Sequence, residues 1–122
     1  MKSKRLIDER HLDRIRQLSC LACGKRPAEA AHVRYASASY AKRITGIGTK
    51  PDDAWVVPLC VTCHREGPES QHSGGERAFW VKRGIDPLRI AQALYICGHT
   101  FADCDAVEAM ESIISFNREK EG

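Results

Sequence analysis

Val57-Pro58-Leu59-Cys60-Val61-Thr62-Cys63-His64 carries an apolar, strand-like segment straight into a C-x2-C turn that ends on a histidine. Such a turn places two sulfurs on one metal ion with little strain, and thiolate zinc sites are tetrahedral. A second turn, Cys20-Leu21-Ala22-Cys23, lies upstream, so the two pairs complete a four-cysteine ligand set for a structural zinc. The pairs are separated by 36 residues, against roughly 15–20 in a zinc ribbon. A larger insert therefore sits between the knuckles, and it contains His32 together with Arg34, Lys42, Arg43 and Lys50.

Outward from the knuckles, the pattern alternates short strands with helices. Leu12, Ile15 and Leu18, with Ile7 added, predict an amphipathic helix over 8–18 that leads into Cys20. Residues 30–35 and 54–59 read as two strands, with Pro58 confining the second to an edge or an end. Residues 36–51 have no clean period and read as a long loop of the kind that is often functional. Ser73 and Glu76 have capping-box spacing and predict a helix over 75–82, closed by Gly84. Asp86-Pro87 starts a helix to about residue 96, with Leu88, Ala91, Leu94 and Tyr95 on one face. Asp105 and Glu108 open a last helix that turns Val107, Met110, Ile113 and Ile114 inward. Cys97 and Cys104 read as packed thiols at helix ends rather than as a second metal site.

The 122 residues suit a single domain of ordinary globular composition, 43% hydrophobic and 29% charged. No apolar run approaches the roughly 20 residues of a membrane span, and the basic first residues have no apolar stretch behind them as a secretory signal would. The expected compartment is the cytosol, where reduced cysteine pairs favour metal over disulfide. The net charge of +3 is uneven: residues 1–61 carry 12 Lys and Arg against 6 Asp and Glu, whereas residues 62–122 carry 7 against 10. The half that holds His32 is thus the basic half, which suits a polyanion.

Phosphodiester hydrolysis requires a base for water, a cation for phosphate charge and a frame that aligns them. His32, at the end of a strand, is a candidate base, because an imidazole accepts a proton near neutral pH. His64 and His72 are candidate ligands for one divalent ion. Each histidine alone also reads as a surface or core residue; their grouping around two knuckles favours chemistry.

Ala31-His32 followed by Val57-Pro58-Leu59-Cys60-Val61-Thr62-Cys63-His64 resembles the HNH (ββα-metal) endonuclease superfamily, in its zinc-knuckle form. Gly75-Glu76-Arg77-Ala78-Phe79-Trp80 and Gly84-Ile85-Asp86-Pro87 extend the resemblance to small phage and prophage members, including the recombination-enhancement nucleases, over roughly residues 8–97. The resemblance implies that His32 is the general base and that His64, with His72, holds a catalytic Mg, Mn, Ni or Zn ion. It implies DNA as the partner. Arg34, Lys42, Arg43 and Lys50, in the strand and loop beside His32, are candidate phosphate contacts, with a solvated loop as the equal alternative; nothing there reads base identity, so little sequence preference is expected. Two positions depart from the pattern. Ala31 stands where Asp or His often ligates the metal, and the middle Asn is absent, the chain's one Asn being Asn117. Asp53 is the candidate to brace the loop in its place.

The expected architecture is α+β, one domain over 1–122. A zinc-stapled ββα-metal core over 8–83 would carry an N-terminal helix and a C-terminal helical extension over 84–119. Two rivals remain: a non-catalytic zinc-knuckle DNA-binding module, and an interaction protein that docks a partner on an exposed Phe79-Trp80 helix.

Overall fold

A computed structural model describes residues 5–35, 52–73 and 75–119. The long predicted loop, with Lys42, Arg43 and Lys50, lies outside the described residues. The chain is α+β: α1 (Glu9–Arg16), β1 (Glu29–His32), β2 (Val56–Leu59), a π-helical turn (Thr62–Glu66), α2 (Glu76–Arg83), α3 (Pro87–Thr100) and α4 (Asp103–Glu119). Among the described residues the sheet has two strands, β1 antiparallel to β2, with Ala31 opposite Val57 and His32 opposite Val56.

Two strands alone bury too little apolar surface to be stable, and here the helices supply the rest. Ala31, Val33, Val56, Val57 and Leu59 join Leu12, Ile15 and Leu18 at the end of α1, Leu88 and Leu94 of α3, and Met110 and Ile114 of α4 in one core. Strand alternation sends Ala31 into that core and His32 to the opposite face. Beyond the ladder, Leu21 N–H donates to the Pro58 carbonyl at 2.9 Å, tying the first knuckle to β2.

Helix starts follow local chemistry. Asp8 caps α1 by accepting from His11 N–H, and Asp86 caps α3 by accepting from Leu88 and Arg89 N–H with Pro87 in the first turn. Gly84 ends α2 at φ +67°, a left-handed position where a Cβ is strained.

Several sequence expectations are corrected. Ile7 precedes α1 and is 65% exposed rather than packed inward. The Ser73–Glu76 capping box does not form. Gly75 is the N-cap without a side-chain bond, Ser73 turns back to Ser70 and Gly67, and Glu76 instead accepts from Arg34 and Tyr35 N–H and from Gln71. α3 continues one turn beyond residue 96, because Cys97 and Gly98 are buried, with the Gly98 carbonyl accepting from Arg14 of α1. Phe79 and Trp80 are 4% and 1% exposed and pack edge to face, so the α2 aromatics belong to the core and offer no docking face.

Candidate metal centre and histidine cleft

The two C-x2-C turns meet. The Sγ atoms of Cys20, Cys23, Cys60 and Cys63 all lie within 4.8 Å of one another, a spacing that fits one metal ion, and among the described residues no other group of three or more His, Cys, Asp or Glu donors does so. The turn geometry explains the convergence. Cys23 N–H points at Cys20 Sγ at 3.4 Å, and Gly24 N–H bonds the Cys20 carbonyl at 2.9 Å. Gly24 sits at φ +84°, which an L-residue adopts only with strain. On the second side, His64 N–H bonds the Cys60 carbonyl at 2.8 Å as the chain winds into the π-helical turn.

The donor chemistry also fits a cation. Burial, reinforced by the neighbouring sulfurs, raises the Cys63 and Cys23 thiols above their usual range. Burial opposes the Cys60 thiolate too, but hydrogen bonds from the Cys63 backbone and the other cysteines outweigh it and lower that group. A bound divalent charge relieves this crowding by favouring the thiolate at all four positions.

Helix α4 grips the first knuckle from outside. Glu111 accepts from Ser19 N–H at 2.8 Å and from Ser19 Oγ at 2.6 Å. Arg118 donates to Ser19 Oγ at 2.9 Å and to the Cys20 carbonyl at 2.7 Å, with its guanidinium lying across Gly24.

Beside the cysteines, a cleft of about 270 Å³ is lined by His32, His64 and His72 together with Arg5, Glu9, Arg16, Arg34 and Asp53. The three histidines singled out in the sequence therefore share one cavity, on the face of β1 opposite the core. The His64 and His72 rings are 4.6 Å apart and meet edge to face. Burial, then the neighbouring His64, Arg34 and Arg65, lowers the His72 imidazole below its ordinary value, which keeps it neutral and able to donate a lone pair.

Each of two histidines has a carboxylate partner. His64 Nδ1 lies 2.8 Å from Glu29 Oε1, and Arg65 bonds the same carboxylate. The Arg65 hydrogen bond, with His64 behind it, holds Glu29 down to about 2, so it is ionised near neutral pH. His32 Nε2 lies 2.9 Å from Asp53 Oδ1. Asp53 is 1% exposed. Burial works against its charge, but His32, the Asp8 N–H and Arg5 together hold its pKa below the usual carboxylate value. Asp53 thus contacts His32 and the N-terminal segment directly, whereas the loop it was expected to brace lies outside the described residues.

Ala31 is fully buried opposite Val57 and offers no ligand. Arg5, Arg16 and Glu29 are cleft or cleft-supporting residues that sequence reasoning missed. Arg5 meets a partner 48 positions away and Glu29 one 35 away, and no local pattern signals either. Arg34 lies on the cleft rim, whereas Cys97 is buried and Cys104 exposed, with neither in a metal-binding group. No described helix is long and apolar enough to cross a membrane. Comparison with protein-family models, curated proteins and solved structures finds no match to this chain.

Proposed function

We propose that this protein is a metal-dependent DNA endonuclease of the zinc-knuckle HNH type, with weak sequence preference and a phage or prophage setting. The convergence of His32, His64 and His72 on one arginine-rimmed cleft beside the cysteine tetrad carries this reading. The tetrad is the structural zinc site. Zn–S bonds of about 2.3 Å in a tetrahedron set sulfurs about 3.8 Å apart, and Cys23 and Cys60 stand 3.5 Å apart.

In the proposed reaction His32 takes a proton from water. The new hydroxide oxygen bonds phosphorus, the bond from phosphorus to the 3′ oxygen breaks, and the leaving oxygen is protonated to a 3′-hydroxyl. His64 and His72 are the residues that would hold Mg, Mn, Ni or Zn, which supplies positive charge for the phosphate and the leaving oxygen. Glu29 supports this assignment, since a carboxylate on Nδ1 fixes the ring and directs Nε2 outward as a ligand. Arg34 and Arg16, which line the same cleft, would contact flanking phosphates.

The alternative, a zinc-knuckle DNA-binding module without catalysis, draws on the buried Ala31, which leaves two imidazoles as protein ligands. A plasmid-nicking assay with Mg, Mn or Ni separates the two. His32→Ala should lower the nicking rate by about 10²–10⁴ with DNA binding retained. Absence of nicking with every ion, alongside unchanged DNA binding, establishes the binding module instead.

A further inference from the structure

The segment ahead of α1 is built onto Asp52 and Asp53 by four hydrogen bonds, three of them at Asp53. Arg5 Nη1 donates to Asp53 Oδ1 at 2.8 Å, and Asp8 N–H donates to Asp53 Oδ2 at 2.8 Å. Leu6 N–H donates to the Asp52 carboxylate at 2.8 Å, and Asp53 N–H returns a bond to the Leu6 carbonyl at 3.0 Å. Both Asp53 oxygens are therefore engaged before His32 is counted. A carboxylate with two such partners cannot swing, so the direction from which it meets the His32 ring is set by the N-terminal segment. Asp8 is itself the N-cap of α1, so the start of that helix and the aim of Asp53 are determined together.

An ionised carboxylate only accepts, so His32 Nε2 must be the donor in the 2.9 Å contact. In the neutral ring the lone pair is then on Nδ1. We propose that Arg5 is a positioning residue: with Leu6 and Asp8 it locks Asp53, and Asp53 fixes the His32 imidazole as the Nε2–H tautomer, with Nδ1 as the nitrogen that receives a proton. This rests on the nuclease reading only for the use made of Nδ1; the lock itself is independent of catalysis.

The lock has a spectroscopic signature. The His32 and Asp53 side chains are 12% and 2% exposed, so the Nε2–H proton should exchange slowly and give a low-field signal in 15N-edited spectra of the full chain. Asp53→Ala should abolish that signal. Because a buried carboxylate is risky to remove, Arg5→Gln is the second variant, its side chain being 33% exposed. It should accelerate Nε2–H exchange at least about tenfold, the size expected for loss of roughly one charge-assisted hydrogen bond, and lower the nicking rate at saturating DNA by a similar factor. Arg5→Lys should restore both. A purely structural Arg5 would lower the melting temperature and leave the exchange of that proton unchanged. No protected Nε2–H in the wild type, or the same exchange rate in Arg5→Gln, overturns the proposal. A protected proton that responds as described, in a protein that fails to nick DNA with any ion tested, supports the lock and removes the nuclease reading.

Discussion

Gly24→Ala tests whether α4 and the first cysteine knuckle are one unit. The backbone at residue 24 has φ +84°, where an L-residue costs roughly 1–2 kcal/mol. A Cβ there would also stand 3.2 Å from both Arg118 Cζ and Nε. The guanidinium must then shift by a few tenths of an ångström out of its bonds to Ser19 Oγ and the Cys20 carbonyl. Charge-assisted bonds are worth about 1.5–3 kcal/mol, and partial exposure with partial retention brings the loss to about 1 kcal/mol. The total is about 2–3 kcal/mol. At about 2.1 cal/mol/K of unfolding entropy per residue, a chain of 122 residues should melt about 8–12 °C lower. Thermal denaturation by circular dichroism, at saturating zinc, measures this. The decisive comparison is a double-mutant cycle with Arg118→Ala. Without the guanidinium, Gly24→Ala should cost only the backbone part, leaving a coupling of about 1 kcal/mol. Additivity within about 0.3 kcal/mol would refute the claim that Arg118 packs on the knuckle.

Two further outcomes follow from burial and from the donor set. His11 is 1% exposed with neither ring nitrogen bonded, and burial pushes its pKa down to about 4. A histidine held low binds fewer protons folded than unfolded, so stability should be full above about pH 6.5 and fall as the pH drops toward 4, by on the order of 3 kcal/mol. Denaturant titrations of His11→Leu should lack that limb yet keep the loss at lower pH, where Glu29, Asp53 and Glu111, all held below their ordinary values, become protonated; an unchanged profile would rule out His11 as the cause. For the tetrad, elemental analysis should find one zinc per chain and near none in Cys63→Ser, with a matching loss of cooperative unfolding. Full zinc content in that variant would remove Cys63 from the site.

Much of the local structure was legible because it is encoded by neighbours in the chain. Asp86-Pro87 marks a helix start by capping chemistry, the C-x2-C spacing marks a metal turn, and Cys63 delivers His64 by covalent adjacency. Capping logic failed at Ser73-Gly75-Glu76, because the Glu76 carboxylate gains three partners at Arg34, Tyr35 and Gln71 in place of one local N–H. Phe79-Trp80 was open to two readings, since an aromatic pair on a short helix serves a core or a docking face equally well. Burial within the core settled it.

The sequence by itself determined the ligand types, the capped starts of α1 and α3 and the presence of three histidines close to two thiolate turns, all properties of separations of a few residues. Tertiary structure decided which of those groups meet. Cys23 faces Cys60, Glu29 takes His64, and Asp53 holds His32 under the grip of Arg5, across separations of 21 to 48 positions. Arg118 reaches Ser19 across 99. Such pairings carry no periodic signature, because each depends on how the sheet and helices stack around the buried core and not on the residues beside it in the chain.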